Sequence, residues 1–108
     1  MTFETRSEHR IFAGSDPAHT ALGEAYTTEP APALTPLMLD STNGVLVPWD
    51  GANAGAAVGV LALDHDGIST MASYYKTGTF DINELVWPEG VSGAKKRNAF
   101  AGTAISVA

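Results

Sequence analysis

The 108-residue sequence predicts a small, mostly β (α+β) domain with two short helices and a flexible N-terminal arm. Three observations predict it. Two apolar stretches flank an Asn-Gly turn within Ser41–Gly44. Two more flank Asp64–His65–Asp66–Gly67. The chain closes on an alternation of Thr103, Ile105 and Val107.

The elements follow in order. Residues 1–32 hold three of the six prolines and only six large apolar residues, Met1, Phe3, Ile11, Phe12, Leu22 and Tyr26. Neither helical nor strand periodicity runs through them, and five acids stand against Arg6 and Arg10. Such a stretch buries too little apolar surface to offset its ordering entropy, so it reads as an arm, with residues 33–108 as the domain; the alternative is an extended segment lying on its own domain. Ile11 and Phe12 are costly to leave in water and read as an anchor that finds a pocket on a partner.

Leu37, Met38 and Leu39 form a short strand that stops at Asp40. Asn43–Gly44 tolerates the positive φ of a hairpin turn, and Val45, Val47 and Trp49 alternate on the return. Pro48 lacks an amide donor, which puts this strand at a sheet edge or ends it there. Ala56 to Leu63 is a continuous apolar run whose length and following turn favour a buried strand. Gly59 inside it signals a bulge or a close backbone approach. Ile68 to Tyr75 returns with residues of high strand propensity.

Two helices are expected after that. Asp81 caps the first, Glu84 completes a capping-box pattern, and Ile82, Leu85 and Val86 share a face before Pro88 stops it. Ser92 caps the second, which runs through Lys95, Lys96, Arg97 and Phe100 to a stop at Gly102.

Composition excludes several function classes. There is no cysteine, so neither a disulfide framework nor thiolate chemistry exists. The net charge is −6, and Arg6, Arg10, Lys76, Lys95, Lys96 and Arg97 are the only basic residues, so a duplex nucleic-acid role is disfavoured. No apolar run reaches the roughly 18 residues of a membrane helix. The opening MTFETRSEHR has no apolar core and is not a secretory signal pattern. Thr2 stands where a myristoylation motif needs glycine.

Catalytic templates fail as well, and no cofactor or metal is expected. His9, His19 and His65 lack metal-ligand spacing. The run from Asp64 has Ile68 and Tyr75 where a calcium loop needs oxygen ligands. Gly90–Val91–Ser92–Gly93 has neither the nucleophile-elbow spacing nor that of a phosphate loop. Lys95, Lys96 and Arg97 fan over about 200° of a helix and form no single stripe. They read as a solvated helix end, or as a salt-bridge site for an acidic partner. Trp49 and Trp87 sit at element ends, where they serve either the core or an interface.

A set of stretches spanning most of the chain resembles the head decoration proteins of lambdoid bacteriophages. It comprises Ser15–Asp16–Pro17–Ala18–His19–Thr20–Ala21, Leu34–Thr35–Pro36–Leu37–Met38–Leu39–Asp40 and Trp49–Asp50–Gly51. It continues with Ala57–Val58–Gly59, Tyr75–Lys76–Thr77–Gly78–Thr79–Phe80 and Trp87–Pro88–Glu89, and ends with the run from Lys95 to Ser106. No single piece is diagnostic; their order and spacing together are specific. The sequence departs from the family pattern at Pro48, at Gly90–Gly93 and before Ile11.

The resemblance implies a structural, non-enzymatic virion protein. It implies a homotrimer on the three-fold sites of the expanded head, clamping major capsid protein subunits against internal DNA pressure. It also implies an arm that orders on the capsid, with no direct contact to nucleic acid or membrane. The expected location is the outer surface of the head, after assembly in the host cytoplasm. Arg10, Ile11, Phe12, Asp16, Pro17 and His19 are then the expected capsid-binding residues of the arm, with Trp49 and Trp87 as interface candidates. Two other classes stay open. One is a carbohydrate-binding module using Trp49, Tyr74 or Trp87 as a stacking platform. The other is a small trimeric enzyme in which Asp50, His65 and Asp81 converge.

Overall fold

A computed structural model describes residues 18–25 and 30–108. Seven strands and one helix follow in the order β1 Thr20–Glu24, β2 Pro36–Leu39, β3 Leu46–Pro48, β4 Ala57–Leu61, β5 Met71–Tyr75, β6 Thr77–Phe80, α1 Gly93–Arg97 and β7 Ala104–Val107. The first five strands form an antiparallel sheet in the order β1-β5-β4-β2-β3. β6 and β7 form a separate parallel pair.

The larger sheet curls onto itself. Just past β1, Ala25 forms a parallel bridge to Leu46 of β3, joining the two edge strands. Inside the curl lie Ala25, Ala31, Leu37, Leu46, Leu61 and Ala72, with Val58 and Tyr74 against them. The opposite face carries Trp49, Ala57, Val60, Phe80, Leu85, Ala99, Phe100 and Ile105. β6, β7 and the chain between them cover that face.

β4 sits between β2 and β5 and is buried on both sides. Its register shifts: Leu37 pairs Gly59 while Met38 pairs Ala57, which leaves Val58 as an extra residue. The bulge breaks the period of two. Ala57 and Val60 therefore face the outer cluster, and Val58 and Leu61 the inner one. Gly59 allows the approach that follows, since a Cβ there would stand 2.5 Å from the Tyr74 ring and 3.1 Å from the Tyr75 carbonyl.

Both expected hairpins form. The Asp40 amide donates to the Val45 carbonyl at 2.8 Å, and Gly44 takes φ 74°. Pro48 ends β3, which lies at the sheet edge as its missing donor requires. In the second hairpin Asp66 Oδ1 accepts from the amides of Ile68 and Ser69, both at 2.8 Å. That turn takes up residues 66–69, so the returning strand starts at Met71 rather than Ile68.

Three expectations differ from the structure. Thr20–Glu24 falls in the expected arm yet is a strand of the main sheet. Its pairing with β5 uses backbone bonds, and its half-buried residues are Ala21 and Gly23, which give no hydrophobic signal. Ala31, within the same expected arm, is buried and bridges His65.

The expected helix from Asp81 is instead a turn. The Val86 amide donates to Leu34, and the Ile82 carbonyl accepts the Trp87 indole, so tertiary partners take the groups a helix would use. The second helix keeps its Ser92 cap but ends at Arg97, short of Phe100. The Asn98 and Ala99 carbonyls accept from Gly55 and Ala57 instead, tying this segment to the start of β4.

The close approach at Gly59 has a measurable consequence. Gly59→Ala forces a Cβ into Tyr74 and is expected to cost roughly 1–3 kcal/mol, the range for overpacking. Urea unfolding of the variant checks this. An unchanged midpoint shows that the β4–β5 contact is loose.

Candidate functional site

The two tryptophans at element ends differ in exposure. Trp49 is 2% exposed, and its Nε1 donates to the Asn53 carbonyl at 3.2 Å. It meets Trp87 edge-on, with centroids 5.9 Å apart and planes at 73°. Such edge-to-face pairs add about 0.5–1.5 kcal/mol beyond area burial. Trp49 thus offers no surface to a partner, and its reading as an interface residue is corrected: just past the edge strand, its side chain turns inward over the outer core.

Trp87 is half-buried. Its Nε1 donates to Ile82 at 2.8 Å, and its ring tilts against Phe100 at 6.5 Å. Lys96 Nζ lies 6.0 Å from its ring centroid, at the limit of a cation–π contact. Trp87 and the exposed Val86 border a shallow hollow of about 260 Å³ with Pro30, Pro32, Pro48 and Pro88.

Tyr74 packs on the inner cluster, whereas Trp49 and Trp87 belong to the outer one. The three aromatics therefore make no common stacking platform. Asp50, His65 and Asp81 are tied to separate turns. Asp50 Oδ1 accepts from Ala52, Asp81 Oδ1 accepts from Asn83, and buried His65 accepts at Nδ1 from Gly67. Among the described residues no group of three or more His, Cys, Asp or Glu side chains is placed to hold a metal. No described helix is long and apolar enough to cross a membrane.

Of the expected arm residues, Arg10, Ile11, Phe12, Asp16 and Pro17 lie outside the described residues. His19 is described and exposed. Its amide donates to Thr77 Oγ1 at 3.0 Å and its carbonyl accepts from Lys76 at 2.9 Å. Ala18 packs over Gly78, where a Cβ would stand 3.3 Å from its own. Ala18 and His19 therefore lie beside the start of β6.

One surface feature was not legible in the sequence. Leu22, Leu63 and Met71 are exposed and line a groove of about 280 Å³ with Asp64 and Asp66. The sequence shows these only as single apolar residues; the β1–β5 pairing and the following turns bring them together. At the groove's rim the backbone amides of Ser69 and Ile68, and the Ser69 hydroxyl, hold the Asp66 carboxyl down at about 2.

The described residues thus combine an aromatic core, carboxylates held in turns and an exposed apolar groove. The family model described as bacteriophage lambda head decoration protein D matches residues 1–107. The chain belongs to this family. A head decoration protein of Enterobacteria phage P21 is 57% identical over 103 residues, which is 95% of this chain and 90% of that protein. A putative decoration protein of Escherichia phage N15 is 55% identical over 105 residues, 96% of each chain. The family places the chain among the structural proteins of the phage capsid, and its relatives are decoration proteins rather than enzymes.

The Asp66 turn carries a pH signature. Its carboxyl titrates near 2 in the folded chain against an ordinary 3.8. A depressed pKa contributes stability that is complete above the unfolded value and is lost as pH falls through the folded one. Carboxyl-carbon NMR is expected to place the Asp66 midpoint near 2, and Asp66→Asn to shift amide-exchange protection at Ile68 and Ser69 downward at neutral pH. A midpoint near the ordinary value removes the turn from the acid response.

Proposed function

We propose that this chain binds as a homotrimer to the three-fold sites of the expanded phage head. There it clamps neighbouring major capsid protein subunits against the pressure of packaged DNA. The observation that carries the reading is the family match over residues 1–107, with a head decoration protein 57% identical across nearly the whole chain.

The mechanism divides the chain into a rigid body and a grip. The curled sheet and its outer layer form the body. The segment ahead of Ala18 supplies the grip, with Arg10, Ile11, Phe12, Asp16 and Pro17 meeting the shell and His19 fixing the point of departure. This narrows the arm from residues 1–32 to the stretch before β1. Burial of Ile11 and Phe12 contributes roughly 1.5–3 kcal/mol of gross transfer energy each. Ordering the segment offsets part of that gain. Three arms on one trimer act together, so modest individual contacts yield tight attachment through effective concentration.

The acidic surface supports a place on the outside of the head. A net charge of −6 disfavours nonspecific association with nucleic acid while the protein waits in the host cytoplasm for assembly.

Co-sedimentation with undecorated expanded shells tests this reading. Three chains are compared: the full chain, a version beginning at Ala18, which keeps β1 and the His19 contacts, and the full chain carrying Ile11→Ser with Phe12→Ser. The full chain is expected to bind and raise the shell's melting temperature. Loss of about 3 kcal/mol weakens each arm's contact roughly a hundredfold, and the trimer's attachment by more than that, in the other two. Equal binding by all three removes the arm as the main anchor. Failure of the full chain to bind its cognate shell removes the function.

A further inference from the structure

The groove beside β1 pairs an apolar floor with an acidic rim. Leu22 and Leu63 are 71% and 65% exposed, and Met71 joins them. Ile68, in the turn that Asp66 holds, is 85% exposed. Asp64 and Asp66 supply the rim. This surface selects a partner with apolar atoms and positive charge together.

The chain carries its own match. Lys95, Lys96 and Arg97 follow one another in α1, and they are the one basic cluster among the described residues. Long Lys and Arg side chains cover apolar surface with their stems while their heads meet carboxylates. Half-buried Trp87 and exposed Val86 lie on the neighbouring surface, with Lys96 reaching over the Trp87 ring.

The two features lie beyond opposite ends of β4. α1 is tied to its start, where Gly55 and Ala57 donate to Asn98 and Ala99. The groove lies past its other end, where Leu61 leads on to Leu63 and Asp64. Five strand residues span about 16 Å, so one copy cannot bring α1 into its own groove. Two copies can.

We infer that the acidic, apolar groove of one copy receives the basic α1 surface of the next, in a head-to-tail contact between copies of this chain. The inference rests on the homotrimer reading above and names the two surfaces that make it. A head-to-tail contact uses different patches on its two sides, and it closes into a ring when the rotation between copies matches. Three copies then use every groove and every helix once. Exposed charge pairs at the rim make the contact weaken with added salt.

The absence of cysteine allows a direct test. Ile68→Cys and Arg97→Cys place thiols on the two surfaces at exposed positions that carry no core packing. The double variant and both single variants are treated with a short bismaleimide, free at high concentration and bound to expanded shells. The double variant is expected to yield covalent dimers and trimers and nothing larger, and each single variant to yield none. Dimers from the Ile68→Cys variant alone overturn the head-to-tail arrangement. Conjugates of that variant to the shell protein, without links between copies, overturn it in favour of a shell-docking groove. Absence of copy-to-copy product in both states overturns it too. Shells that take up no chain count against the proposed function alone, because the free-chain reaction still decides this contact.

Discussion

The burial of β4 on both faces is the constraint from which the other elements take their places. A strand with solvent on one side carries one apolar face; β4 carries two, and each needs a cover. The inner cover comes from the curl of the sheet, closed by the bridge from Ala25 to Leu46. The outer cover comes from Phe80, Phe100, Ile105 and the Trp49–Trp87 pair. The bulge at Val58 lets one five-residue strand serve both, since it moves Ala57 and Val60 to one side and Val58 and Leu61 to the other. Gly59 makes room for the Tyr74 ring at that point. Even α1 is placed by β4, through the bonds from Gly55 and Ala57 to the end of the helical segment.

Closing the sheet also deals with its edges. An open edge strand invites pairing with other chains, and small domains blunt such edges with proline, short strands or closure. β3 is three residues long and ends at Pro48, and β1 reaches it at Ala25. The parallel pair β6–β7 is joined by a long crossover, as parallel pairing demands. That crossover delivers the turn at Asp81, Trp87 and α1 to the outer core.

The arrangement also separates holding the fold from holding a partner. Asp50 and Asp81 accept amides in their own turns, and Trp49 is committed to the core. The surfaces left over among the described residues are the apolar groove and the basic helix. Each is peripheral to the two clusters, so each can be altered with little loss of stability. That division suits a structural protein of the decoration family.

Local chemistry made much of this legible in the sequence. Asn43–Gly44 and Asp66–Gly67 specify turns within a few residues, Pro48 marks an edge by lacking a donor, and Ser92 caps its helix with its own hydroxyl. The apolar run to Leu63 revealed a buried strand, and the order of the matched stretches revealed the family. What the sequence alone could not determine depends on distant partners. β1 is a strand because β5 pairs with it, not because Ala21 and Gly23 favour one. β6 was invisible because Thr77–Phe80 takes its pairing from β7, far along the chain. The segment after Asp81 has the pattern of a helix, but Leu34 and Trp87 claim the groups a helix needs. The groove is likewise a product of tertiary structure, since Leu22 and Leu63 become neighbours only when β1 docks on β5. Caps, turns and breakers act through nearby atoms and are written residue by residue; pairing, burial and surface are set by which segments meet, and that is decided only when the whole chain closes.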